Sequence, residues 1–190
     1  TVLKDGTVFI TSGAGLRRST DGGKTWETHL IRWQDLPGLT KAPKYLAPAY
    51  GVGELHGGTL IFAVSLPQPG SADYLWRSKD QGKTWDKSLR MSFRGGIDRK
   101  ELPYGTMFGE AVFWQAPNGD ILVPARVIGE TLAFPLQGRK PPPVGIDHSE
   151  GMALFRSKDG GASWTVEDFG AYYGEMYPSI LRLQEGRLLF

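Results

Sequence analysis

An eight-residue segment occurs three times in this chain with nearly the same sequence. The copies occupy residues 19–26, 78–85 and 157–164, and the first reads Ser-Thr-Asp-Gly-Gly-Lys-Thr-Trp. Each copy separates two runs of strand-like residues, which is the pattern of two strands joined by a turn. In such a turn the aspartate accepts backbone hydrogen bonds, glycine adopts positive φ, and tryptophan packs beneath. The sequence therefore predicts three β-hairpins with the same turn.

A second, shorter signature precedes each copy and recurs near the end of the sequence. It is a glycine-containing turn followed by an apolar strand, and its glycines are Gly6, Gly58, Gly119 and Gly186. Two successive hairpins make a four-stranded antiparallel unit. Repetition of such units at a period of roughly 40 residues or more is typical of a β-propeller, in which each unit is called a blade. The expected fold class is all-β.

The repeats assign four blades, of which the last is incomplete. They cover about residues 1–30, 45–93, 107–169 and 176–190, so residues 1–190 make a partial propeller domain of about three blades. We expect the first blade to lack its innermost strand. Because each blade is covered only by its neighbours, a propeller needs all its blades. The remaining blades are expected from the same polypeptide, with a ring of two half-propeller copies as the alternative.

The octapeptide resembles the Asp-box, also called the BNR repeat, and the third copy departs from it only by Ser163. Sialidases, related glycosidases, sortilin-like receptors and photosystem assembly factors carry this repeat, so it predicts architecture rather than activity. Its aspartates are expected to be structural turn residues and not catalytic acids. The structural set is Ser19, Asp21, Gly23, Trp26, Ser78, Asp80, Gly82, Trp85, Ser157, Asp159, Gly161 and Trp164.

Antiparallel alternation assigns the connections between strands to two edges of the sheets. The glycine turns and the Asp-boxes fall on one edge, and the long connections fall on the other. Long loops at one rim of a rigid scaffold are where binding and catalysis concentrate. The residues that these connections offer for chemistry are Arg32, Trp33, Asp35, Arg94, Asp98, Arg99, Tyr104, Asp147 and His148. Asp98 and Asp35 are alternative loop acids, or solvated loop residues.

The sharper candidates lie on strands of the third and fourth blades. Glu110 is expected where the innermost strand of the third blade begins, and Arg126 where the neighbouring strand ends, so the two share an edge. A carboxylate beside a guanidinium is either a structural ion pair or part of a substrate site. In the fourth blade, Tyr177 aligns with Glu110, and Glu175 lies two residues earlier.

The segment from Gly109 to Arg126 resembles the glutamate and arginine strands of sialidases. This resemblance implies a six-bladed propeller in which three arginines bind the sugar carboxylate. A tyrosine activated by a glutamate attacks the anomeric carbon, and a loop aspartate is the acid. On this match Glu110 is the base and Arg126 is one of the arginines, and the other two arginines are not assigned by the resemblance. The candidate catalytic residues are Glu110, Tyr177, Glu175 and Asp98, and the candidate substrate-binding residues are Arg126, Arg94 and Arg32. The Arg-Ile-Pro segment that the family carries before its first Asp-box is absent from this sequence.

The chemistry of these residue types fits such roles. A phenol with a pKa of about 10 becomes a nucleophile only when a base takes its proton. A planar guanidinium offers two parallel donors to a carboxylate.

Composition excludes other classes of partner. The formal net charge is +2 and no basic run with interleaved aromatics is present, so nucleic acid is not an expected partner. The chain has no cysteine, and neither a metal nor another cofactor is expected. No apolar stretch approaches membrane-spanning length. The resemblance favours a secreted or periplasmic protein, although no signal peptide opens the sequence.

Two functions from different classes remain open. The first is a sialidase-like glycoside hydrolase that cleaves terminal sialic acid or a related sugar from glycans. The second is a non-catalytic BNR-repeat propeller that binds glycan or protein on the same face through Trp33, Trp76 and Trp114. An enzyme needs convergent titratable groups, whereas a binding protein needs only aromatic and hydrogen-bonding surface.

Overall fold

A computed structural model describes residues 1–12, 15–44, 46–49, 51–66, 73–94, 106–107, 112–128, 150–167, 181–183 and 188–189. Over these ranges the regular elements are β-strands, apart from one 3-10 turn at Trp33–Asp35. The all-β expectation is confirmed for this part of the chain. The number of blades in a complete propeller stays a prediction.

The first sheet contains β1 (Val8–Ser12), β2 (Gly15–Ser19) and β3 (Glu27–Leu30) in antiparallel order. The first residues of the chain extend this sheet. Thr1 and Phe9 exchange backbone hydrogen bonds of 2.8 and 3.0 Å, and Val2 bridges Val8. The expectation that the first blade lacks an innermost strand is therefore wrong, because residues 1–3 pair with β1.

The second sheet is built around a strand that is buried on both faces. An innermost strand in two pieces, β4 (Ala47–Pro48) and β5 (Gly53–Glu54), pairs with β6 (Leu60–Ser65). The sheet continues with β7 (Asp73–Ser78) and β8 (Asp86–Arg90). All six residues of β6 are buried, which explains its nearly uninterrupted apolar sequence.

The third sheet contains one parallel pair that the sequence did not predict. Its strands are β9 (Ser92–Arg94), β10 (Thr106–Met107), β11 (Trp114–Gln115), β12 (Ile121–Ile128), β13 (Glu150–Ser157) and β14 (Ser163–Glu167). The path is β10-β12-β13-β14-β9, with β11 also paired to β12, and β9 runs parallel to β14. Residues 92–93, which we assigned to the second blade, therefore pair with the third sheet. A final antiparallel pair joins β15 (Leu181–Arg182) and β16 (Leu188–Leu189).

The strand register confirms the expected assignment of connections to two edges. In the second sheet Leu60 lies opposite both Glu54 and Ser78, so the glycine turn and the Asp-box share one edge, called here the Asp-box edge. At the other end of the same strands, Ser65 lies opposite Ala47 and Asp73. This end is called the far edge, and the long connections leave from it.

Neighbouring sheets pack through the glycine at the fifth position of the Asp-box. A Cβ atom added to Gly82 would collide with the Phe9 ring of the first sheet, and one added to Gly161 would collide with the Leu75 side chain. The Trp85 ring lies edge-on to Phe9, with centroids 6.3 Å apart. The repeated motif thus shapes both its own turn and the contact with the preceding sheet. No helix in the described ranges has the length and apolar character to span a bilayer.

Candidate functional site

The three Asp-boxes form the same hydrogen-bonded turn. In the first, Asp21 Oδ1 accepts hydrogen bonds from the Ser19 hydroxyl at 2.8 Å and the Thr25 backbone at 2.9 Å, and Asp21 Oδ2 accepts the Thr25 hydroxyl at 2.6 Å. The Trp26 indole donates to the Gly23 carbonyl at 2.9 Å. The second and third copies repeat these bonds with their equivalent residues. Each carboxylate is used within its own turn.

The electrostatics of these turns argue against acid catalysis by their aspartates. Hydrogen bonds from the Thr25 and Thr84 side chains lower the pKa of Asp21 and Asp80 far below the ordinary 3.8. Burial opposes the shift at Asp159, but hydrogen bonds led by the Ser163 hydroxyl still lower the pKa of this carboxyl. At neutral pH all three are anions with no proton to donate.

Among the described residues, one predicted site residue lies on a central strand of the third sheet, near its far edge. The Cα atom of Arg126, in β12, lies opposite Met107 of β10 and Met152 of β13. In the described part of the innermost strand, Thr106 and Met107 pair with this end of β12, upstream of Glu110.

All four predicted catalytic residues lie outside the described part of the chain. These are Glu110, Tyr177, Glu175 and Asp98, together with the loop residues Arg99, Tyr104, Asp147 and His148. Their roles stay predictions.

Two further candidates are on the connection that follows β3. Arg32 is exposed and its backbone carbonyl accepts a hydrogen bond from the Asp35 N–H at 3.0 Å. Asp35 forms an ion pair of 2.7 Å with Lys87 of β8, whose ammonium also lies 4.3 Å from the centroid of the Trp76 ring. The ion pair links this connection to the second sheet, and the role of Asp35 as a loop acid stays a prediction.

Arg94 lies on a strand at one end of the third sheet rather than on a central strand. It belongs to β9 and lies opposite Thr165 of β14. In this sheet β9 and β10 are at opposite ends of the strand order. Arg32, Arg94 and Arg126 thus lie in three separate segments, and their roles in substrate binding stay predictions.

The far edge of the second sheet contains two buried polar residues that sequence reasoning missed. Ser65 and Asp73 are opposite each other at the ends of β6 and β7, and both are fully buried. The Asp73 carbonyl accepts a hydrogen bond from the Met91 N–H at 2.8 Å. A serine and an aspartate bounding a proline- and glycine-containing connection look like ordinary loop residues in the sequence, so no local signal marks their burial.

The residues that the structure describes include no candidate metal site. No group of three or more His, Asp or Glu side chains there is arranged to hold an ion.

A comparison with known protein families identifies the repeat. The BNR/Asp-box repeat model matches residues 17–28, which contain the first octapeptide. A comparison with curated proteins finds no match.

Solved structures share the fold over most of the chain. A protein of unknown function from Dyadobacter fermentans DSM 18053 is 22% identical, with a TM-score of 0.58 over 99% of this chain and 54% of that one. The Hadza microbial sialidase Hz136 is 18% identical, with a TM-score of 0.53 over 81% of this chain and 30% of that one. An α-L-arabinanase of Penicillium chrysogenum, complexed with arabinobiose, is 19% identical, with a TM-score of 0.48 over 73% and 38%.

The chain spans about half, or less, of the proteins whose structures it resembles. At these identities the likeness shows the fold. The repeat and the fold together support the resemblance to the sialidase superfamily of BNR-type propellers.

Proposed function

We propose that the polypeptide containing this chain is a sialidase-like glycoside hydrolase that removes terminal sialic acid or a related acidic sugar from glycans. The observation that carries the proposal is the position of Arg126 on β12, at the far edge between β10 and β13. That edge is where the long connections leave, and the Asp-box carboxylates at the other edge are fully used in their turns. One protein that shares the fold is a microbial sialidase.

The proposed roles follow from the chemistry of a sugar that bears a carboxylate. Arg126 binds the carboxylate through parallel N–H donors, with Arg32 as a second candidate donor. Tyr177 is the nucleophile, and Glu110 takes its proton, because a phenol is otherwise a weak nucleophile at neutral pH. Asp98 protonates the leaving group. These are proposals for residues chosen from the sequence.

The alternative of a non-catalytic binding propeller rests on fewer residues than the sequence indicated. Trp76 is fully buried, and Trp114 lies on β11 near the glycine turn at the Asp-box edge. Trp33 is partly exposed on a connection that leaves the far edge. Of the three tryptophans, Trp33 is the one that supports glycan or protein binding on the proposed face.

A screen of aryl glycosides with the full polypeptide tests the enzymatic proposal. The aryl glycoside of sialic acid should be hydrolysed, and aryl glycosides of neutral sugars should not. Arg126→Lys should raise KM for the sialoside more than it lowers kcat, because an ammonium cannot replace the bidentate contact. Retained glycan binding without turnover of any glycoside would reject the hydrolase and favour the binding propeller.

A further inference from the structure

A polar groove lies at the Asp-box edge between the second and third sheets, away from the proposed catalytic edge. Its volume is about 590 Å³, within the range of small-molecule sites. The residues that line it and bear on its chemistry are His56, Thr59, Arg77, Lys79, Asp86 and Gly160. All of them belong to the turns and strand ends of the repeats.

The equivalent place between the first and second sheets is closed by an arginine. Arg18, the residue before the first Asp-box, donates from Nε to the Gln81 carbonyl of the next sheet at 2.8 Å. Its side chain is 5% exposed and also pairs with Glu27 at 3.0 Å. The guanidinium therefore fills this interface and satisfies its donors with groups of the protein.

The interface between the second and third sheets has an arginine at the equivalent position, but this arginine is more exposed. Arg77 is the repeat equivalent of Arg18, and it pairs with Asp86 at 3.0 Å just as Arg18 pairs with Glu27. Gly160 of the third sheet is at the position equivalent to Gln81 of the second. No hydrogen bond from Arg77 to Gly160 is present among the described contacts. The Arg77 side chain is 38% exposed. Its remaining N–H donors thus face the groove instead of a carbonyl of the next sheet.

Equivalent hydrogen bonds join the adjacent sheets at the glycine turns of both interfaces. The backbone N–H of Lys4 donates to Glu54 of the second sheet at 3.5 Å, and the backbone N–H of His56 donates to Gln115 of the third sheet in the same way. The groove is therefore not a general gap between the sheets. The two interfaces differ at Arg77, which is more exposed than Arg18 and lines the groove.

The charge of the groove favours an anion. Arg77 and Lys79 are basic residues, and Asp86 is the one acidic residue among the described residues that line the groove. Asp86 is already paired with Arg77. The side chains of His56 and Thr59 add further hydrogen-bonding groups beside the two basic side chains. A simple inorganic ion would fill a small part of such a volume.

We propose that this groove binds an acidic saccharide unit, whose carboxylate contacts Arg77 and Lys79 and whose ring hydroxyls contact His56 and Thr59. Such a subsite would hold an acidic glycan at the Asp-box edge, separate from any chemistry at the far edge. Its test uses binding alone, so its outcome does not depend on hydrolase activity.

The experiment is an NMR titration of the ¹⁵N-labelled polypeptide with glucuronic acid, glucose and inorganic phosphate in parallel. Glucuronic acid should shift the amide signals of Lys79 and Gly160 in a saturable way, and glucose should not. Lys79→Gln should weaken the binding of glucuronic acid about tenfold, because it removes a charged contact. Lys83→Gln removes the same charge from the same Asp-box outside the groove and should leave binding unchanged.

A second variant tests the groove without changing its charge. Gly160→Gln adds a side chain at a residue that lines the groove and where a Cβ meets nothing within 4 Å. Gln81 shows that glutamine adopts this backbone, since φ is 58° at Gln81 and 69° at Gly160. Binding of glucuronic acid should be lost, and the thermal unfolding midpoint should fall only slightly, because a side chain at positive φ carries a conformational cost. Undiminished binding in both Lys79→Gln and Gly160→Gln, or phosphate binding as tight as glucuronic acid, would overturn the proposal.

Discussion

Arg18 Nε donates a hydrogen bond of 2.8 Å to the Gln81 carbonyl oxygen, and so joins two sheets across 63 residues of sequence. The guanidinium is almost completely buried, whereas its ion-pair partner Glu27 is 63% exposed. Solvent weakens the ion pair with an exposed carboxylate. The contact between sheets is therefore the more important of the two for stability.

Arg18→Gln should lower the free energy of unfolding by about 1–2 kcal/mol, because the bond to Gln81 is lost and packing around the guanidinium loosens. Arg17→Gln is the matched control, since Arg17 is the adjacent residue and is exposed. Urea denaturation of both variants measures the difference. Equal stabilities would show that the bond between the sheets contributes nothing.

Gly161→Ala should destabilise the protein more than Gly160→Ala. Both glycines have positive φ, so each substitution carries a conformational cost of about 1 kcal/mol. A Cβ at Gly161 also collides with Leu75 of the preceding sheet, whereas one at Gly160 meets nothing within 4 Å. Overpacking should add about 1–3 kcal/mol at Gly161 alone. Denaturant midpoints with equal m-values would measure this difference directly.

The Asp-box aspartates should make stability fall in acid. Folding lowers the pKa of Asp21, Asp80 and Asp159 below the ordinary 3.8, so their contribution is fully present above about pH 4.5. It is lost progressively as the pH falls through the range of unfolded carboxyl groups towards the lower folded values. Thermal melts between pH 7 and pH 3 measure this loss. A triple Asp→Asn variant should show a smaller decline than the parent, and an identical decline would refute the assignment.

Asp80→Ala should lower the thermal midpoint by several degrees without changing the kinetics of hydrolysis. The substitution removes the acceptor for the Thr84 N–H at 2.9 Å and for the Thr84 hydroxyl at 2.6 Å, so the turn loosens. The turn is at the Asp-box edge, away from the proposed site. Differential scanning calorimetry and kcat on the same samples check both halves of this prediction.

Local patterns in the sequence predicted the turns and most strands because the Asp-box and the glycine turns use short-range hydrogen bonds and positive φ. Contacts between distant segments left no such local signal. The parallel pairing of β9 with β14 joins Phe93 to Trp164, and nothing near either residue indicates it. Trp76 was a candidate for binding wherever it is exposed, but it is buried under Lys87. Its burial depends on neighbouring segments rather than on the alternation of its own strand.

A residue of the candidate site could be located from the sequence only where its position on a strand could be counted from a glycine turn. Arg126 follows a glycine turn at a distance that placed it correctly near the end of β12. The opposing residue was not predictable in this way, because β10 and β11 pair with β12 in different registers. A change of register breaks the two-residue period on which counting along a strand depends.

The rate of hydrolysis of an aryl sialoside by Glu110→Gln tests the central claim most directly. If Glu110 is a base of a catalytic site at the far edge, kcat of the full polypeptide should fall about 100-fold or more, with little change in the thermal midpoint. The amide keeps the size of the side chain and removes its ability to take a proton. An unchanged kcat in a folded Glu110→Gln protein would contradict the proposed site.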